Sequence, residues 1–166
     1  MIPFRTDEDY MRMALRQAEQ AEAQDEVPIG AVAVCEEQVV GRAYNQVEML
    51  SDATAHAEMI ALTQAETAQN DWRLNNVTLY VTKEPCAMCA GAMVNARVGR
   101  LVYGCYDSAA GAAGSVLNIA EFPGMLHTIP VEGGMLEEEC RWLLQSFFRR
   151  RRLESGEEKD NGRADQ

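Results

Sequence analysis

No run of 18 or more apolar residues occurs anywhere in the chain, which excludes a membrane-spanning helix. Positive charge is scarce: 15 Lys and Arg face 26 Asp and Glu, a formal net charge of -11. Affinity for polyanions rests on Lys and Arg, so an indiscriminate nucleic-acid binder is excluded. Histidine is rarer still, with His56 and His127 only. Met1 to Asp7 lacks the basic and apolar regions of a secretory signal, so the expectation is a cytoplasmic protein. The five cysteines are an odd number in a chain without an export signal, which argues against a disulfide framework. Cys35, Cys105 and Cys140 sit in apolar sequence and read as small buried hydrophobes.

The 166 residues suffice for one domain with a real core. Their charge is uneven. Residues 1–69 carry thirteen acids and four bases, residues 70–130 four of each, and residues 131–166 nine acids and seven bases. Four of those bases are consecutive, Arg149 to Arg152, so a local basic site on an acidic body is open.

Helix and strand signals alternate. Thr6-Asp7-Glu8-Asp9 forms a capping box ahead of Met11, Ala14, Leu15, Ala18 and Ala21 at helical spacing. Ile29 to Cys35 and Gln38 to Tyr44 read as two strands joined by a Glu36-Glu37 turn. Caps at Ser51 to Thr54 predict a helix through Gln69. A strand over Val77 to Thr82 precedes a helix with Pro85 in its first turn, running to Ala96. A strand follows at Arg100 to Cys105, then a glycine-rich loop at Gly111 to Gly114 and a short helix near Val116 to Glu121. An edge strand near His127 to Val131 and a last helix from Met135 complete the pattern. This predicts an α/β domain with helices on both faces of one sheet, over residues 1–153. Residues 154–166 have almost nothing to bury and read as a disordered polar tail.

Two short motifs carry the chemistry. His56-Ala57-Glu58 opens one predicted helix, and Pro85-Cys86-Ala87-Met88-Cys89 opens another. One imidazole and two thiols make a three-ligand zinc set with one coordination position open, as in catalytic rather than structural zinc. Cysteines three apart at a helix start can point to one spot, where the positive dipole end favours thiolate. A water on such an ion loses a proton near neutral pH. Glu58, two residues past His56, points elsewhere around the helix and suits a proton carrier rather than a fourth ligand. Taken singly, the C-x-x-C is equally a redox dithiol or a structural metal site. A structural site would need a fourth ligand, for which Cys105 is the candidate. The paired motifs match the H-x-E…P-C-x-x-C signature of zinc nucleobase deaminases. Asn45 reads, by itself, as a strand-end turn former, Asp107 as a loop acid and His127 as structural.

The chain resembles the bacterial tRNA-specific adenosine deaminases, of the cytidine deaminase superfamily. The likeness is carried by His56 to Glu58, Thr82 to Met93, Arg97 to Gly104, Gly111 to Ser115, Pro123-Gly124-Met125 and Phe147-Phe148-Arg149. The resemblance implies a cytidine-deaminase-like three-layer fold with a five-stranded mixed sheet, and a homodimer with one zinc per subunit. It implies conversion of adenosine to inosine at the wobble position of a tRNA anticodon, typically of an arginine tRNA. His56, Cys86 and Cys89 would then hold zinc, and Glu58 would move the proton. Asn45 would bond the base, Ile29, Ala55 and Ala57 would line the pocket, and Asp107 would lie near a neighbouring ribose. Phe147, Phe148, Arg149, Arg150 and Arg152 are candidates for RNA contact, since aromatics stack and arginines meet phosphates. The rival expectation is a deaminase of free guanine or cytidine. Asn95, Cys105 and Tyr106 depart from the resemblance and leave contacts to flanking nucleotides open.

Overall fold

In a computed structural model that describes residues 4–161, the capping box forms as expected. Thr6 Oγ1 accepts from the Asp9 amide, and the Asp9 carboxylate accepts from Thr6 N at 2.7 Å, opening α1 (Asp7–Ala23). A hairpin follows, β1 (Gly30–Cys35) and β2 (Gln38–Tyr44), turning through Glu36 and Glu37 with both at positive φ. The chain continues through α2 (Val47–Leu50), α3 (Ala57–Gln69), β3 (Val77–Lys83), α4 (Ala87–Asn95) and β4 (Arg100–Cys105). It ends in β5 (Val131–Gly133) and α5 (Glu137–Asn161). The five strands make one open sheet in the order β2-β1-β3-β4-β5. The β2-β1-β3 pairs are antiparallel and the β3-β4-β5 pairs parallel, so the sheet is mixed.

Every residue of β1 is buried, because both faces of the sheet are covered. Ala31, Ala33, Leu79, Val81 and Leu101 turn toward α3 and α4 in the larger core. Val32, Val34, Tyr80 and Val102 alternate to the other face, where they meet Tyr10, Met11 and Ala14 of α1 and Cys140 and Leu144 of α5. The small residues on β1 and β2 let helices approach closely. A Cβ at Gly41 would stand 2.7 Å from the Ala61 carbonyl of α3.

The structure departs from the sequence reading where short-range signals compete. The helix expected from Ser51 starts at Ala57, because Asp52 spends its carboxylate on the Thr54 amide in a local turn. Pro85 lies outside α4, whose N-cap is Cys86. Residues 116–121 form no helix: Gly114 at φ 135°, an Ala113–Asn118 bridge and an Asn118 side chain accepting from Glu121 N fold them into turns. The edge strand sits at Val131–Gly133, just after Pro130. The last helix starts only at Glu137, after Gly134 and Leu136 at positive φ. It runs through residues 154–161, which the sequence assigns to a polar tail; local helix bonding and an Arg150–Glu154 pair at 3.8 Å accompany that extension. The rest of the expected tail, residues 162–166, lies outside the described residues. No described helix is long and apolar enough to cross a membrane.

One polar network ties the layers together. The Asp7 carboxylate accepts both Arg100 guanidinium nitrogens at 2.8 and 2.9 Å and the Tyr80 hydroxyl at 2.6 Å. Arg100 also reaches Glu132, so α1, β3, β4 and β5 share it. The Arg100 hydrogen bonds hold the Asp7 carboxyl below its ordinary range. A depressed carboxyl stabilises the fold above its unfolded pKa and loses that contribution as pH falls through the folded value. Replacing Asp7 with Ala therefore costs about 1–2 kcal/mol at pH 7, discounted for partial exposure. Urea titration should show the gap between wild type and variant closing as pH falls below the ordinary aspartate value of about 4.

Candidate active site

The site forms where two helices begin side by side at one end of the sheet. His56 is the N-cap of α3 and Cys86 the N-cap of α4, both with extended backbone and neither making a side-chain cap hydrogen bond. Two positions that ordinarily go to Ser, Thr, Asp or Asn thus hold metal-ligand side chains. Cys89 lies in the first turn of α4, fully buried. Glu58 lies in the first turn of α3, buried at 4 % exposure.

His56 Nδ1 stands 3.7 Å from Cys86 Sγ and 3.5 Å from Cys89 Sγ. All three ligand atoms lie within 4.8 Å of one another. Zinc bonds of about 2.1 Å to nitrogen and 2.3 Å to sulfur, at tetrahedral angles, place such atoms about 3.6 Å apart. The donor set and its spacing therefore fit a tetrahedral zinc ion with one position left over. Cys105 is not part of the group; its thiol donates to the Thr82 carbonyl at 3.5 Å, so the closed four-ligand alternative has no fourth ligand there. His127 Nε2 donates to the Val98 carbonyl, 2.8 Å away, and is structural.

The electrostatics agree with a site built for a cation. Hydrogen bonds from Cys89 and then from His56 bring the Cys86 thiol down to about 3, so it is a thiolate. The same bond, together with burial, pushes the Cys89 thiol up. His56 is raised, chiefly by its bond to Cys86. Burial raises the Glu58 carboxyl, outweighing hydrogen bonds from its own amide and its attraction to His56. A carboxyl so placed favours its protonated form more than an exposed one does.

A cleft of about 200 Å³ opens beside these groups, lined by Val27, Ile29, Asn45, Val47, His56 and Glu58 among others. Ile29, Asn45 and Ala57 are thus where the sequence expected them. Asn45 is fixed by two bonds: its amide N donates to the Ile29 carbonyl at 3.0 Å and its Nδ2 to the Val27 carbonyl at 3.3 Å. Its Oδ1 and second Nδ2 hydrogen remain for a ligand. Ala55 is buried next to the cleft without lining it. The cleft also holds Glu26, Glu48, Val27 and Val47, which the sequence reading missed. Glu26, 1 % exposed, accepts the amides of Glu48 and Met49 and so pins α2 as a wall. Its only signal was an acid at a helix end, which is commonplace.

The remaining expected residues lie apart from the cleft. Asp107 is committed: one oxygen meets Lys83 Nζ at 2.9 Å, and the other accepts from Ala109 and Ala110 amides. Phe147 is 2 % exposed and packs edge-on against Phe148, with the Arg150 and Arg151 guanidinium groups over its ring. Its ring is buried in the fold and has no face open to a base. Arg150 pairs with Glu22, Asp25 and Glu154, fastening α5 to the end of α1. Phe148, Arg149 and Arg152 keep an open face, around a shallow depression shared with Gln145.

The chain is similar to known proteins along nearly its whole length. A profile of the MafB19-like deaminase family matches residues 5–152. A tRNA-specific adenosine deaminase of Haemophilus influenzae is 46 % identical over 154 residues, 92 % of this chain and 89 % of that protein. One from Bacillus subtilis is 45 % identical over 143 residues, 86 % of this chain and 89 % of that protein. Among solved structures, one from work on A-to-I editing by tRNA:A34 deaminases superposes with a TM-score of 0.78 at 41 % identity. That match covers 81 % of this chain and 98 % of the other.

The donor set predicts one zinc ion per chain. Because the Cys89 thiol is pushed up and must lose its proton to bind metal, zinc titration of metal-free protein at pH 7 should release about one proton or more per ion. Affinity should rise with pH. Replacing Cys89 with Ala should abolish stoichiometric zinc by elemental analysis; a full equivalent retained by that variant would refute the ligand set.

Proposed function

The chain belongs to the MafB19-like deaminase family, among the tRNA-specific adenosine deaminases, and we propose that it converts adenosine to inosine at the wobble position, 34, of a tRNA anticodon. The observation that carries this reading is the pairing of a three-ligand metal site with a buried, raised carboxyl at the mouth of one cleft. His56, Cys86 and Cys89 hold zinc, which when bound supplies an activated water as nucleophile at neutral pH.

The chain's own groups do the rest. Asn45, held by Val27 and Ile29, presents its free amide groups to the purine edge. Ile29, Val27 and Val47 give the ring an apolar slot that excludes bulk water. Glu58 takes the proton from the attacking water and passes it to the purine ring nitrogen. It then takes the proton of the new C6 hydroxyl and delivers it to the 6-amino group, so that the carbon–nitrogen bond breaks, ammonia leaves and C6 becomes a carbonyl. Recognition of the RNA falls to Phe148, Arg149 and Arg152, which can stack and meet phosphates despite the acidic body. The expected ribose contact of Asp107 is supported only in that its loop lies against the segment leading to Cys86.

The enzyme acts in the cytoplasm, where its substrate is, with an arginine tRNA as the species its resemblance suggests. A homodimer is supported by exposed apolar side chains: Met49 and Leu50 on α2, and Val116, Leu117, Phe122 and Leu126 in the turns between β4 and β5, the last 92 % exposed.

The test is inosine formation in an anticodon stem-loop, with free adenosine, guanine and cytidine as parallel substrates. Turnover of a free base or nucleoside without inosine in the stem-loop would overturn the reading. Replacing Glu58 with Gln should leave zinc content intact and lower the rate at least a hundredfold. Light scattering should return about twice the chain mass.

A further inference from the structure

One buried carboxylate is not used by this chemistry. Glu84 is 2 % exposed, immediately before Pro85 and Cys86. Four donors converge on it. Oε2 accepts the Asp107 amide at 2.9 Å and the Ser115 hydroxyl; Oε1 accepts the amides of Ser115 at 2.9 Å and Ala113 at 3.2 Å. No cation pairs with Glu84 among the described residues, since its neighbour Lys83 is bonded to Asp107. Its charge is therefore held by backbone dipoles, as an anion is held in a nest of amides. The glycine-rich segment is folded around it: a Cβ at Gly111 would overlap the Glu84 carboxylate. The loop is also joined to the metal-binding segment, the Ala112 amide donating to the Pro85 carbonyl at 2.8 Å. Ala113 shares a core with Cys86 and Cys89.

The loop has two sides. Gly111, Ala112 and Ala113 are buried against Glu84 and Pro85, whereas Tyr106, Ser108, Ala109 and Ala110 form an exposed rim. That rim is joined through the Asp107 amide to Glu84, two residues before Cys86, which places it on the side of the loop where nucleotides flanking a base at the metal would lie. We propose that Glu84 is a positioning residue for substrate RNA: its carboxylate clamps residues 107–115 to the metal-binding segment and fixes the rim as one wall of the RNA groove. The proposal rests on the reading that the substrate is an anticodon stem-loop. An anion is required because all four partners are donors; a Gln would turn an NH2 group toward N–H groups that it cannot accept from.

The experiment compares wild type, Glu84→Gln and Ser115→Ala for stem-loop kinetics, zinc content and amide hydrogen exchange. Glu84→Gln should raise KM about tenfold, the equivalent of one or two lost charge-assisted bonds, with kcat within about twofold. Exchange at residues 107–115 should quicken while zinc stays at one per chain. Ser115→Ala, which removes one bond of the four at an exposed position, should raise KM by about two- to threefold. A purely structural role would instead lower zinc content or kcat, and either outcome, or an unchanged KM, overturns the proposal. Should Glu84→Gln fail to fold, an unchanged KM in Ser115→Ala is decisive alone. A wild type that makes no inosine in the stem-loop overturns the functional reading and this inference together; an active wild type with unmoved variants overturns this inference only.

Discussion

Everything at the site depends on two helix N-termini lying side by side with candidate metal ligands where caps would be. His56 and Cys86 occupy the N-cap positions of α3 and α4 without capping either helix. Each helix thereby forgoes a hydrogen bond worth about 1 kcal/mol. In exchange, two sets of unpaired amides and two positive dipole ends face the same small volume, which favours thiolates and a carboxylate there. The sheet makes this meeting possible. The carboxyl end of β3 leads to Cys86, the end of β2 leads toward His56, and the antiparallel β1 begins between them at Gly30, whose amide donates to Thr82 Oγ1.

Three buried glutamates show how surroundings divide one residue type among different tasks. Glu26 accepts two amides of α2, and Glu84 accepts three amides and a hydroxyl around the 107–115 loop. Both carboxylates are fixed acceptors that fold a loop around themselves. Glu58 is buried as deeply but has fewer partners, and burial raises its carboxyl. A carboxyl whose charge is poorly compensated is one that can take up and give back a proton. The acidic balance of the chain is therefore partly internal, with some of its carboxylates serving as struts.

The distribution of arginine follows similar logic. Arg100 is bound to Asp7 and Glu132, Arg150 to Glu22, Asp25 and Glu154, and Arg151 to the Asp25 carbonyl. A run of four arginines looks like one basic patch in sequence. On a helix, successive residues point about 100° apart, so the run is split between a packed face and an open one. Phe147 and Phe148 are split the same way.

Much of the fold and the metal site could be read from local pattern, because the signals there are short-range. The Thr6 capping box, the alternation over Ile29 to Cys35, and the His56 and Cys86–Cys89 motifs each state their structure within a few residues. Where competing turns decide, reading failed: Asp52 capped its own turn instead of a helix, and Gly114 and Asn118 unmade a helix at 116–121. The sequence by itself determined the layered α/β pattern and the donor group His56, Cys86 and Cys89 with Glu58 beside it, since periodicity and donor chemistry are local properties. Only the tertiary structure decided that Nδ1 faces both thiols, that Glu26 and Glu84 brace the surrounding segments, that Phe147 is buried, and that Asp107 and Arg150 stand in ion pairs. Those outcomes hang on partners 22 to 128 residues away along the chain, whose approach is set by the packing of sheet and helices and is written in no single stretch of sequence.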